Sequence, residues 1–148
     1  MDRVRVHHPE VDPACCFCVL HAETVDHLFL ACDVTQDLWR RCYMALQLAY
    51  DSGDVTLEMM VSRLPMVLGS SRRGTLTRLA LLTWVFSVWE ERNARLFDGK
   101  SRHTEQLMAT IACRVRDIWR AHSTRLDTSA GLLQTWCTST STDSFEPP

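Results

Sequence analysis

A chain of 148 residues is long enough for one domain with a real core and too short for two comfortable ones. With 46% apolar and 23% charged residues the composition is globular, which excludes a collagen-like or wholly disordered chain. The net charge of −2 excludes a molecule that is basic overall, yet residues 63–126 hold twelve bases against five acids, so a polyanion would have to meet that segment.

Residues 1–11 are expected to form an extended lead-in, because the first fourteen residues contain two prolines and no apolar period. Met1 is followed by Asp-Arg-Val-Arg rather than an apolar run, so no secretory signal is read. The longest apolar stretch, residues 79–89, is too short to span a bilayer and is flanked by Arg78 and Glu90. The expected setting is intracellular, nucleus or cytoplasm, without membrane contact. There, seven cysteines argue for free thiols or metal ligands rather than a disulfide framework.

Four of those cysteines and two histidines fall within "CCFCVLHAETVDHLFLAC", residues 15–32. Cys15 and Cys18 stand as C-x2-C, a spacing that lets a tight turn aim both sulfurs at one ion. His27 follows, and a helical turn over 27–32 would bring Cys32 to the same side. Cys15, Cys18, His27 and Cys32 then form a Cys3His set suited to tetrahedral Zn2+ with no open position. Cys16 leaves only one residue before Cys18 and is read as a bystander. His21 competes with His27 but sits two residues past Cys18, where the loop is expected to close poorly. The competing reading is that these thiols simply fill core positions, as free cysteine often does.

Apolar positions at helical spacing predict helices over 35–50, 56–64, 75–96 and 104–125. Asp33 or Thr35 is the candidate cap of the first, and Pro65 ends the second. "GSSRRG", 69–74, reads as an exposed basic loop. The third helix is apolar on nearly every face as far as Trp89, the pattern of a central buried helix, so Trp84 and Trp89 are expected in the core. Arg92 and Asn93 read as its end. "FDGKS" is a turn, and the fourth helix presents Leu107, Ile111, Val115 and Ile118 as one stripe, with Met108, Ala112 and Trp119 beside it. Residues 127–148 turn Ser/Thr-rich and are expected to be a disordered tail, although Leu132, Leu133 and Trp136 offer a way to dock. The fold class expected is mainly α: a zinc-knuckle-like Cys3His loop followed by three to four helices, one domain over 12–126.

"C-x-F-C…ETVDHLFLAC…LW" closely resembles the zinc-binding domain that follows the polymerase in plant non-LTR retrotransposon reverse transcriptases, and "WVFSVWEERNARLFDGKS" looks like the segment after the knuckle there. The resemblance spans about residues 12–120. It implies Cys15, Cys18, His27 and Cys32 as metal ligands, with Trp39, Trp84, Trp89, Arg92, Asn93 and Phe97 matching the surrounding pattern. It departs in three respects. Val19 stands where the family usually has glycine. Helical sequence normally precedes the first cysteine. No polymerase motif is present, so the chain reads as a detached C-terminal piece.

No Gly-x-Ser-x-Gly, Walker loop or His-Glu-x-x-His occurs, and no catalytic residues are expected. The leading expectation is a non-catalytic structural-zinc module associating with RNA or DNA. Arg72, Arg73, Arg78, Arg114, Arg116 and Arg120 are the candidate phosphate contacts. The alternatives are a module that binds a protein or itself through uncovered apolar helix surface, and a remnant without a selected role.

Overall fold

A computed structural model of the chain describes residues 13–47, 71–123 and 130–140. Within them a loop closed by one antiparallel bridge, Ala14 to Ala22, leads into a π-helical turn, His27–Ala31. Four α-helices follow: α1 Asp33–Ala45, α2 Arg72–Phe97, α3 Thr104–Ser123 and α4 Ala130–Thr140. The expectation of a mainly helical domain behind a Cys3His loop is met. The lead-in and the helix expected over 56–64 lie outside the described residues. No helix among the described residues is long and apolar enough to cross a membrane.

α1 begins directly at the cysteine that ends the loop. Its first turn is fixed by Thr35, whose hydroxyl donates back to the carbonyls of Leu28 (2.7 Å) and Cys32 (3.1 Å). The cap position is thus Cys32 rather than Asp33 or Thr35. The helix stops at Ala45, before the expected limit, where Gln47 takes a left-handed φ of 54° and the backbone turns away.

α2 starts earlier than its apolar pattern suggests. Ser71 Oγ accepts the backbone N–H of Gly74 at 3.1 Å, an N-cap that draws Arg72 and Arg73 out of the supposed loop into the first helical turn. The helix also runs past Asn93 to Phe97, because Arg92 is held by side-chain partners and terminates nothing. Nor is it buried all round. Thr77, Thr83, Ser87, Glu91 and Arg92 lie on the buried side, whereas Leu82 (62%), Phe86 (57%) and Trp89 (38%) are exposed. Trp84 is fully buried and meets Trp39 at 4.4 Å and Phe29 at 5.8 Å between ring centroids, joining the π-turn, α1 and α2.

α3 folds back along α2 after a turn in which Gly99 adopts φ 63°, a conformation that costs glycine little. Leu107, Met108, Ile111, Val115 and Trp119 are buried as the stripe requires; Ile118 is 40% exposed, at the stripe's edge. α4 packs on α1 and α3 and buries Trp136 completely. Over 130–140 docking therefore prevails against the tail expectation, with Trp136 as the buried anchor and Leu133 and Cys137 packed beside it.

The α2–α3 turn is fastened by one carboxylate. Glu91, side chain almost wholly buried, accepts from Arg95 Nε (2.9 Å), the Arg102 backbone N–H (2.7 Å) and Arg102 Nε (2.6 Å). Burial raises its affinity for a proton, but these donors outweigh that and hold the carboxyl below the usual range. A pKa below the unfolded value means the contribution is full at neutral pH and is lost as pH falls through the ordinary carboxylate range into the acid. Glu91→Gln is expected to cost about 3 kcal/mol at pH 7, the low end for a broken buried pair because Arg102 keeps part of its side chain in water. The same variant should show a shallower loss of stability between neutral and acid pH, measured by urea unfolding.

Candidate metal centre

The loop owes its shape to backbone bonds that join its two limbs. Cys15 N–H donates to His21 O, Val19 N–H to Cys15 O and Glu23 N–H to Pro13 O, each at 2.8 Å. These bonds close a knuckle over residues 15–21 and turn the Cys15 and Cys18 sulfurs to one side. Val19, at its tip, is forced to φ 59° and stands 70% exposed. That is the left-handed region where a β-branched residue is strained, so the departure from glycine carries a physical penalty.

The second pair of donors comes from the π-turn. Thr24 Oγ1 accepts His27 N–H at 2.9 Å and starts it; Cys32 N–H closes on His27 O at 2.7 Å, a span of five residues. In an α-helix two residues five apart point about 140° away from each other. The wider i to i+5 turn brings His27 and Cys32 round to a common side, the closure expected of them, by a π-turn in place of an ordinary one.

Cys15, Cys18, His27 and Cys32 consequently offer four ligand atoms that all lie within 4.8 Å of one another. Cys15 Sγ and Cys32 Sγ are 3.9 Å apart, and Cys18 Sγ is 3.3 Å from His27 Nε2. A tetrahedral ion with M–S bonds of about 2.3 Å has S–S edges of about 3.8 Å and S–N edges of about 3.5 Å, so these contacts already match such a site. Cys15 and Cys32 are fully buried, and the other two donors are half-buried.

Burial pushes the Cys15 thiol up to about 12, against backbone N–H groups of Cys18 and Phe17 that pull it down. Burial acts upward on Cys18 as well, but the Leu20 and His21 backbone and the two imidazoles of His21 and His27 bring it down to about 6. One sulfur is ready to ionise and another resists unless a cation compensates, which is the chemistry of thiolate ligation to a divalent ion. Cys16, pushed up to about 12 chiefly by burial and then by Glu23, stays outside the cluster, as its spacing suggests. No disulfide forms among the described residues.

The structure adds residues that spacing alone did not single out. Arg92, nearly fully buried, reaches from α2 to Glu23 Oε1 through Nε (3.0 Å) and Nη2 (2.8 Å). Arg95 donates to Cys16 O at 3.1 Å and lies 4.3 Å over the Phe17 ring, while its Nε holds Glu91. Two arginines thus clamp the cysteine loop onto α2. The resemblance marked Arg92 without giving it a role, "EERNAR" shows only charges closing the most apolar helix, and the partners lie 69 and 79 residues away.

Of the six candidate phosphate contacts, Arg73 is occupied by the carbonyls of Leu46 (2.7 Å) and Gln47 (3.0 Å), where it fixes the end of α1. Arg114 pairs with Glu90 at 2.8 Å, donates to Ser87 Oγ and lies over Phe86; Arg116 pairs with Asp117. Arg72 is exposed at the start of α2. Arg78 and Arg120 are exposed on α2 and α3, with no ion pair to a described residue. Three of the six, Arg73, Arg114 and Arg116, thus have partners within the protein.

Residues 1–39 match the family described as zinc-binding in reverse transcriptase. The match covers the whole donor set and ends at Trp39, while the α2–α3 hairpin stands outside it. No curated protein and no solved structure matches the chain.

Replacing Val19 by glycine should relieve the tip of the knuckle. The expected gain is about 1 kcal/mol, a factor of about five in Kd for a divalent thiophilic ion, measured by chelator competition.

Proposed function

We propose that the chain is a non-catalytic structural-zinc module of reverse-transcriptase descent. Cys15, Cys18, His27 and Cys32 would hold the ion, and its chemistry is that of a cross-link: four protein donors leave no position for an activated water. The single observation that carries this reading is the convergence of the four donors from two separately built turns. The match over residues 1–39 supports it independently. The arrangement suits a reducing compartment, nucleus or cytoplasm, where the thiols stay available.

In this reading the second role of the module is association with RNA or DNA. The basic surplus of residues 63–126 supplies the attraction, and Arg78 and Arg120 are the side chains best placed to meet phosphates. Filter binding of single-stranded RNA across a salt series tests it. Affinity should fall steeply with salt, and Arg78→Ala with Arg120→Ala should lower the slope by about 2. Affinity that is absent at low salt, or indifferent to salt, would exclude the electrostatic mechanism.

A second reading rests on a different observation. Leu82, Phe86 and Trp89 form an exposed apolar stripe along α2, which favours a protein partner or self-association. Light scattering against concentration separates the two: growth in mass that Phe86→Glu abolishes supports docking, and a constant monomer mass removes self-association.

Chelation tests the cross-link itself. Its removal should loosen the loop and π-turn, seen as a loss of protease resistance near residues 13–32, while α2 and α3 keep most of their helicity. Simultaneous collapse of the whole far-UV circular dichroism signal would mean that the hairpin has no packing of its own.

A further inference from the structure

We propose that His21 is a reserve ligand of this site, an imidazole held just outside the four-donor set and able to take the place of His27 on the ion. The inference rests on the reading of Cys15, Cys18, His27 and Cys32 as a metal site and concerns how that site exchanges its ligands.

Spacing argues against His21, because only two residues separate it from Cys18, a short span for the chain to return. The backbone explains how it does. The Cys15 N–H bond to the His21 carbonyl, 2.8 Å, ties residue 21 directly beside the first cysteine, and the Ala14–Ala22 bridge continues the pairing. The left-handed Val19 supplies the reversal of direction that a C-x2-C-x2-H stretch needs. His21 Nδ1 comes to 4.0 Å from Cys18 Sγ, compared with 3.3 Å for His27 Nε2. The two rings stand 5.2 Å apart between centroids, inclined at 40°, so both imidazoles approach the same sulfur. A sulfur–nitrogen edge of a tetrahedral site is about 3.5 Å, so on the Cys18 edge His21 falls short by about half an ångström, while it stands outside the four-donor cluster.

The two imidazoles differ in freedom. His27 is half-buried and sits in the first position of the π-turn, its N–H fixed by Thr24. His21 is exposed, so its ring can rotate toward the sulfurs without displacing core. Cys15 and Cys32, fully buried, keep their grip while the exposed edge of the site, formed by Cys18 and the two histidines, changes donor. His21 would then take over from His27 as the nitrogen donor, so that a bound divalent ion would not be left to three sulfurs alone. No bond to carbon changes and no electron moves; one nitrogen lone pair replaces another.

Four full-length proteins test this: wild type, His21→Ala, His27→Ala and the double variant. Each is titrated with Zn2+ against a chromophoric chelator, and the zinc-loaded forms are observed by histidine-ring 15N NMR. His21→Ala should bind within a few-fold of wild type. His27→Ala should retain one equivalent, with His21 Nδ1 shifted to the metal-bound position. The double variant should lose about a further hundredfold in affinity, the share of one donor. Equal affinity in His27→Ala and the double variant, or an unshifted His21 ring in zinc-loaded His27→Ala, overturns the proposal. So does a His21→Ala loss as large as that of His27→Ala, which would make His21 a primary ligand. A wild type that takes up no zinc would instead remove the metal site itself, a different failure. Circular dichroism of the double variant guards against loss of fold: α2 and α3 helicity equal to wild type assigns the affinity loss to the donors.

Discussion

Two fully buried sulfurs, Cys15 and Cys32, face each other at 3.9 Å, and the loop and π-turn of residues 13–32 are arranged around them. The Cys15 thiol resists ionisation, first because a charged sulfur there loses its water and also because a charge on Cys32 would repel it. A divalent cation reverses both effects at once. The knuckle and the π-turn are two local solutions to the same demand: each presents a pair of donors, and the bonds that shape them, from Cys15 N to His21 O and from Cys32 N to His27 O, begin at the ligand residues themselves.

That constraint reaches the helices through arginine. Arg92 and Arg95 lie one turn apart on α2, grip opposite limbs of the loop and, through Glu91 and Arg102, tie it to the start of α3. Such buried pairs contribute little net stability, since desolvation offsets most of the attraction, but a broken one is costly. Their effect here is to fix where the loop sits. The apolar packing of Phe29 and Trp39 on Trp84 supplies the adhesion, and the guanidinium groups supply the register. The α2 helix is thus amphipathic in an unusual sense. Its buried side carries Glu91 and Arg92 while Phe86 and Leu82 face water, because the loop it serves is itself polar along its backbone.

The donor set was legible from spacing because ligand chemistry restricts both residue type and loop length. The π-turn was legible only as a closure, since nothing in "HLFLAC" distinguishes five residues per turn from an ordinary helix until Cys32 must face His27. For the helices over Asp33–Ala45, Arg72–Phe97 and Thr104–Ser123 existence followed from apolar periodicity, whereas Ala130–Thr140 was read as tail; the boundaries did not follow, because Ser71 as a cap and Gln47 as a left-handed stop act through local backbone geometry. Trp89 was read as core from an all-round apolar pattern and Ile118 was placed on the apolar stripe by its spacing, yet Trp89 is 38% and Ile118 40% exposed once the neighbours are in place. His21 shows the limit of counting residues: with two residues between it and Cys18 it was read as too close, and one left-handed residue with one hydrogen bond brought it back. The clamp of Glu23, Arg92 and Arg95 was not legible for a simpler reason, although the resemblance marked Arg92. Their partners are far away in the chain, and no periodicity links them.

The central claim, that a divalent ion bound by three thiolates and an imidazole holds this loop in shape, is tested most directly by native mass spectrometry of the protein purified without added metal, coupled to amide hydrogen exchange over residues 13–32. The account predicts one zinc per chain and slow exchange at Cys15, Val19 and Cys32 that becomes fast on chelation. A metal-free protein whose amides in this stretch are equally protected would contradict it.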